Sequence, residues 1–254
     1  MNKPTKTIFA LALAFSAAAF VPASQAQASG WFGENVQGNG TIKKQSRDIH
    51  HFNGVSLALS GNVELKIGST EGVSIETDEN LLPLIETVVE NGTLRIRAAK
   101  KNVNLNTRNM RVTVWAKDID RVSVGGSGSI ESDALKGSKL NFDVGGSGSI
   151  NVKGVEADNV VVSIGGSGNF KSGAGSTNNL SLSIGGSGDV QAGGVKSNDV
   201  SVSVGGSGQA TVWAQNSLSI SIAGSGDVNY YGDPKISKSV AGSGGAKRLG
   251  AAPR

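Results

Sequence analysis

Apolar residues fall at every second position through most of this chain, in short runs separated by turn-forming residues. Val55, Leu57 and Leu59 share one face, with Ser56 and Ala58 on the other. Val63, Leu65 and Ile67 alternate with Glu64 and Lys66, and Val73 and Ile75 with Ser74 and Glu76. A period of two is the mark of half-buried strands. Ser60-Gly61-Asn62 reads as a turn between the first two runs. Asn91-Gly92 predicts a hairpin joining residues 88–90 to 93–96, because both residues tolerate the positive φ of a two-residue turn. Residues 81–85 predict one helical turn, interrupted at Pro83. Val112 and Val114 mark the last strand before a different pattern begins.

That pattern is a Gly-Gly-Ser-Gly corner. It starts at Gly125, Gly145, Gly165, Gly185 and Gly205, and returns as Ala-Gly-Ser-Gly at Ala223 and Ala241, in steps of 20, 20, 20, 20, 18 and 18 residues. Alignment on the corner exposes apolar columns. Val122, Phe142, Val162, Leu182, Val202 and Ile220 form one; Val124, Val144, Ile164, Ile184, Val204, Ile222 and Val240 form the next; Ile130, Ile150, Phe170, Val190, Ala210 and Val228 form a third. Polar residues fill most positions between. A fixed period with apolar columns means that each repeat buries its hydrophobic edge against its neighbours. About 20 residues holding two or three short strands is one coil of a parallel β-helix, whereas a propeller blade needs roughly 40. Right-handed winding is the default for parallel crossovers. The fold expected is therefore all-β: a right-handed parallel β-helix solenoid of ~20-residue coils with a β-rich N-terminal part closing one end. The polar returns align as well, with Asp158, Asn178, Asn198 and Asn216 in one column and Asn159, Asn179, Asp199 and Ser217 in the next. Such residues suit turns, and stacked amides can pair from coil to coil.

The first residues have a different character. Lys3 and Lys6 precede an uncharged apolar run over residues 8–20, and Ala26-Gln27-Ala28 is a small-x-small cleavage pattern. This is the form of a secretory signal peptide, 1–28, too short in its apolar part to span a bilayer as a helix. Residues 29–47 are glycine-rich and aperiodic and are expected to be a flexible leader, with Trp31 and Phe32 able to tuck against the body. The domain is expected over 48–246, as N-terminal strands (48–116) and repeats (117–246), followed by a polar tail over 247–254. Loss of Lys3 and Lys6 leaves 22 basic against 20 acidic residues, a net charge of +2. That balance does not advertise nucleic acid or an acidic membrane surface as partner. There is no cysteine, so stability is expected from burial and hydrogen bonds rather than disulfides. No later stretch is apolar enough for a transmembrane helix, and an exported product is expected in the periplasm, on the outer surface or outside the cell.

A nucleotide loop needs its glycine turn to open a helix, and here an apolar strand position follows within two residues. Glycine is read as permitting the tight corner, with Ser127 to Ser243 as a column able to bond neighbouring coils. Calcium nonapeptides place aspartate sixth in the motif, where this chain has Ile130, Ile150, Phe170, Val190, Ala210 or Val228. Asp189 and Asp227 share an outer column with Gln209 between them, two coils or about 9–10 Å apart, at the upper limit for an inverting hydrolase. His50 and His51 are adjacent, so they face opposite ways on an extended chain. No catalytic residue, cofactor or metal is expected. The aromatic cluster Trp213, Tyr230 and Tyr231 is the candidate ligand or cap surface. Trp213 and Tyr231 are one 18-residue period apart and stack in one column, and exposed rings would offer a platform to sugars or a protein. Counting back from the next corner puts Trp213 in the inward column of Leu135, Val155 and Val195, which favours an end cap.

The strand-corner repeats, the Glu90-Asn91-Gly92-Thr93-Leu94-Arg95-Ile96 hairpin and the segment Tyr230-Tyr231-Gly232-Asp233-Pro234 together resemble the autotransporter adhesin, head GIN domain family of bacterial exported proteins. The resemblance covers about residues 48–246. It implies a β-helix-like fold and periplasmic or cell-surface placement, and it brings no catalytic residues. No C-terminal translocator barrel like that of a full autotransporter is expected. The function expected is an exported, non-enzymatic, adhesin-like module of the envelope or surface that contacts a glycan or a surface protein through its Ser/Thr/Asn faces. The alternatives are a carbohydrate-active β-helix enzyme (a polysaccharide lyase or hydrolase) and a periplasmic scaffold without ligand. Self-association into a homo-oligomer through the open ends is a further expectation.

Overall fold

The computed structural model describes residues 34–253. The expected signal peptide, together with Trp31 and Phe32, lies outside the described residues. Strands β1 (Glu34–Gln37), β2 (Ile42–Arg47), β3 (Gly54–Leu57), β4 (Asn62–Ile67) and β5 (Gly72–Asp78) come first. A 3-10 turn over Leu82–Leu84, with Pro83 in its first turn, leads to β6 (Ile85–Glu90) and β7 (Thr93–Ala98). Then come β8 (Val103–Asn106) and β9 (Arg111–Ala116). The repeats supply β10 (Arg121–Val124), β11 (Ser129–Ser132), β12 (Leu135–Val144), β13 (Ser149–Val152), β14 (Val155–Ile164), β15 (Asn169–Ser172) and β16 (Gly175–Ile184). The last coils are β17 (Asp189–Gly206), β18 (Gln209–Gly224), β19 (Asp227–Tyr231), β20 (Lys235–Ala241) and β21 (Gly245–Gly250).

Each repeat strand pairs in parallel with its equivalent one coil on, so the chain is a β-solenoid. Val122 pairs with Phe142, Phe142 with Val162, Val162 with Leu182, Leu182 with Val202 and Val202 with Ile220, which is the column expected from the sequence. The post-corner column is equally regular, running Ile130, Ile150, Phe170, Val190, Ala210 and Val228. Both columns are buried throughout. Phe142 and Phe170 come from different walls and meet across the core, with ring centroids 4.8 Å apart. The first halves of β12, β14 and β16 and the middle of β17 make a third wall, with Leu135, Val155 and Val195 facing in.

The corner works differently from a flexible hinge. Backbone bonds continue through it from coil to coil: the N–H groups of Gly165, Ser167 and Asn169 donate to the carbonyls of Val144, Gly146 and Gly148 at 2.8, 3.1 and 3.0 Å. The serine contributes its N–H, and its side chain stands exposed in a row along the surface rather than laddering as expected. The last glycine of each corner is required for space. At Gly168 a Cβ would lie 2.4 Å from Val144 Cγ1 and 2.5 Å from the Gly148 carbonyl oxygen.

The N-terminal strands close one end of the solenoid in an order unlike the sequence. The β3–β4 coil stacks on β10–β11 on one side and on β7 and β9 on the other. The chain thus lays an outer rung beyond its own first coil before returning to start the repeats. Antiparallel strands cover that rung, with β6 on β7, β5 on β9 and β2 on β5. The β6–β7 hairpin turns through Asn91 and Gly92, with φ of 50° and 73°, as its sequence requires.

Two boundaries differ from expectation. Residues 34–47, expected in a flexible leader, form β1, parallel to β8, and β2, antiparallel to β5. Their order comes from backbone pairing and polar anchors, which leave no apolar periodicity. The Asp78 carboxylate accepts from Gly40 N–H at 2.6 Å and Thr107 Oγ1 at 2.5 Å, while the Arg47 guanidinium donates to the carbonyls of Ile85 and Leu82 at 2.7 and 3.0 Å. At the other end, residues 247–250 belong to β21, paired with β19, and not to a tail.

Candidate functional site

The outer surface is concave along one line, where the third wall bends into the first. The bend is made at Asp158-Asn159, Asn178-Asn179 and Asn198-Asp199, all but one of them exposed. Asn178 Nδ2 donates to Asp158 Oδ1 and Asn198 Nδ2 to Asn178 Oδ1, both at 3.1 Å; Asn179 Nδ2 donates to Asn159 Oδ1 at 3.0 Å. The anticipated amide ladder is therefore present. Just before the bend, the small buried residues Thr177 and Ser197 let the backbone dip inward. Thr177 Oγ1 donates to the carbonyls of Asp158 and Asn179 at 3.2 and 3.1 Å, and Ser197 Oγ to that of Val195 at 3.2 Å, which satisfies backbone groups freed by the bend.

The result is a longitudinal groove of about 550 Å³ spanning the coils from Lys136 to Asn198. A second hollow of about 510 Å³ shares Lys136 and Gly137 and extends toward Asp118 and Asp120. The outward residues of the third wall rise beside it in register: Lys136, Glu156, Ser176, Lys196 and then Trp213. Lys136 pairs with Glu156 at 2.6 Å, and Lys196 Nζ lies 6.0 Å from the Trp213 ring centre. The groove walls thus carry both signs of charge and a row of amides and hydroxyls, and the Trp213 indole stands one coil beyond Lys196. Alternation outward from Leu135 and Val155 could have revealed Lys136 and Glu156 from sequence; the concavity itself needs the bend.

The three aromatic candidates separate. Trp213 pairs with Tyr231 across one period, as expected. Trp213 does not lie in the inward column of Leu135, Val155 and Val195, because it pairs with Lys196 on the outside while Ala214 follows Ser197 inward. The 18-residue coil skips residues 193–195 and then adds one residue opposite Asn198. The net change is two, but the added residue reverses the parity of everything before it. Trp213 is consequently half-buried on the outer face, with its Nε1–H lacking a hydrogen-bond partner among the described residues. Tyr231 lies beside it, its ring over Gly193, where a Cβ would be 3.3 Å from Cε2. Tyr230 alone takes the capping role: it is inward, above Val212, and 9% exposed.

The carboxylates that prompted the hydrolase reading are engaged with the backbone. Asp189 Oδ1 accepts from Gln209 N–H at 3.2 Å and Asp227 Oδ1 from Gly245 N–H at 3.0 Å, each one coil along the same column. His50 and His51 are exposed, with ring centres 6.2 Å apart and edge to face, and His50 Nε2 is 2.7 Å from Asp48. Among the described residues no group of three or more His, Asp or Glu side chains is placed to hold a metal ion. Glu71 lies under the histidines. Burial raises its pKa, but the backbone N–H of His51, the charge of Lys117 and the N–H of Phe52 outweigh that and hold it below the ordinary carboxylate value. These contacts fasten the loop before β3.

A parallel solenoid with one end covered by antiparallel strands and a polar groove along its side defines the class of stacked-coil β-solenoid proteins. Residues 51–234 match the family described as "Putative auto-transporter adhesin, head GIN domain", and the chain belongs to that family. Among solved structures it is similar to a putative adhesin from Bacteroides fragilis, with 25% identity, a TM-score of 0.76, and coverage of 84% of this chain and 100% of the other. It is also similar to a putative lipid binding protein from Parabacteroides distasonis, with 26% identity, a TM-score of 0.71, and coverage of 85% and 100%. A putative adhesin from Parabacteroides merdae shares the fold at 22% identity, with a TM-score of 0.67 and coverage of 85% and 99%. No curated protein matches the chain. Among the described residues no helix is long and apolar enough to cross a membrane.

Proposed function

We propose that this chain is an exported, non-enzymatic binding module of the cell envelope or surface, adhesin-like, that takes a glycan or protein partner along its side groove. Membership of the adhesin head family supports the class. The observation that carries the reading is the groove itself, which crosses successive coils as far as Lys196 and Asn198, with Trp213 one coil beyond Lys196. Hydrogen-bonding walls and a terminal aromatic ring suit an extended, hydroxyl-rich or peptide partner better than a small enclosed substrate. The engagement of Asp189 and Asp227 with backbone N–H groups speaks against the hydrolase alternative.

Glycan and matrix-protein arrays, probed with the wild type and with Trp213→Ala and Lys196→Ala, test the binding. Binding weakened in both variants is expected; silence across the arrays at high concentration would count against the proposal. Fractionation with protease shaving of intact cells separates a surface module, which is cleaved, from a protected periplasmic scaffold. Depolymerisation of a uronate polysaccharide, lost in Asp189→Asn, would replace the proposal with the enzyme reading.

A further inference from the structure

The end of the solenoid opposite the N-terminal cap concentrates basic charge beside exposed apolar side chains. Residues 34–232 contain 17 basic and 19 acidic side chains, whereas residues 233–250 contain four basic and one acidic. All four basic residues lie on the last coil, Lys235 and Lys238 on β20 and Lys247 and Arg248 on β21. The same coil exposes two large apolar side chains, Ile236 at 47% and Leu249 at 43%. Ile236 continues the inward column above Leu218, and no further coil covers it among the described residues. Tyr231, half-buried, stands on the rim one coil below.

Two of the basic residues occupy core columns. Lys238 stacks above Ile220 and Arg248 above Tyr230, where every earlier coil but those with a serine in the second column has an apolar residue. Arg248 is held there by donating from Nε to the Gly232 carbonyl at 2.8 Å. A second copy docked on this end in register would bury both charges, at a cost of several kcal/mol each unless paired. Edge protection accounts for the charges. It does not account for an exposed isoleucine and leucine among them.

We propose that this end is a peripheral docking surface for an anionic phospholipid bilayer, with the basic side chains at the headgroups and Ile236 and Leu249 entering the interface. Clustered basic charge attracts an anionic leaflet, and apolar side chains beside it add burial that a soluble polyanion does not offer. The solenoid would stand on the membrane by its last coil and project its N-terminal cap and side groove outward. The inference is independent of what the groove binds.

Flotation with phosphatidylcholine vesicles, with and without phosphatidylglycerol, tests it. The whole chain is expected to float only with the anionic vesicles, and less so as salt rises. Lys235 and Lys247 are exposed and outward, so Lys235→Gln with Lys247→Gln leaves the packing intact. At about five-fold per basic side chain, the pair should weaken binding roughly 25-fold. Lys43→Gln with Lys44→Gln makes the same charge change on β2, at the capped end, and is expected to have no effect. Equal flotation with neutral vesicles, none with anionic ones, or equal loss in both variants overturns the proposal. So does a concentration-dependent dimer in sedimentation that the Lys235/Lys247 pair abolishes, which would assign the surface to a second copy.

Discussion

The spatial role of the corner glycine can be tested by adding one methyl group to Gly168. It is buried between coils, and its Cβ would lie 2.4 Å from Val144 Cγ1 and 2.5 Å from the Gly148 carbonyl oxygen, against ordinary contacts of 3.4–4 Å. Neither neighbour can retreat easily. Val144 is 1% exposed and β-branched, and the Gly148 carbonyl accepts the Asn169 N–H at 3.0 Å. Overpacking of this kind costs about 1–3 kcal/mol, and with a fixed backbone atom on one side we expect the upper figure. In a domain of this size ~3 kcal/mol lowers the melting temperature by roughly 6–12 °C. Gly165, three residues earlier in the same corner, is the control: it is exposed and a Cβ there meets nothing within 4 Å. Gly165→Ala should stay within about 0.5 kcal/mol of the wild type. Thermal and urea melts followed by far-UV circular dichroism read both. If the two substitutions cost the same, the corner glycines are there for backbone freedom and the close-approach account is wrong.

Other perturbations address the remaining claims. Tyr230→Ala should cost on the order of 3 kcal/mol because it empties the end of the core, and Trp213→Ala about 1 kcal/mol or less, measured in urea melts; the reverse order would restore Trp213 to the inward column. Asp78 has its pKa lowered by Thr107 and by Gly40 N–H, and Glu90 by Arg97, from ordinary values of 3.8 and 4.5. Both therefore contribute stability that is fully present above those values and is lost as pH falls through the lower folded ones. The urea midpoint should drop below about pH 4, and Asp78→Asn should lower it at neutral pH while flattening the acid limb. Deletion of residues 147–166, one period, should leave a shorter folded solenoid, whereas deletion of 147–156 should unfold it, as circular dichroism and proteolysis would show.

What the sequence reveals is whatever repeats with an apolar side chain. The columns through Val122 and Ile130 could be read because each of their members contacts an equivalent apolar residue one coil away, so burial is written in every period. The Asn91-Gly92 hairpin was legible because its turn needs two residues at positive φ. Strands β1, β2 and β21 were illegible for the converse reason. They are held by backbone pairing to β8, β5 and β19 and by side chains such as Asp78 and Arg47, none of which imposes alternation on the strand itself. The failure at Trp213 is one of parity. A skip of three and a gain of one look like a loss of two by length, yet they place the indole on opposite faces.

These lapses in legibility coincide with the surfaces that can act. A coil that obeys the period buries its alternate side chains and presents its neighbour with a copy of itself. Recognition needs a departure from that regularity. The bend at Thr177 and Ser197 makes the groove by breaking strict alternation, since Ser197 and Val200 both face inward across an odd step. The shortened coil turns Trp213 outward one coil beyond Lys196, and the last coil replaces core residues with Lys238 and Arg248. Restoring the period by inserting two residues between Val212 and Trp213, so that the indole takes the inward place of Val195, should therefore preserve the fold while removing binding along the groove. A restored coil that still binds would show that the regular faces, and not the departures, carry recognition.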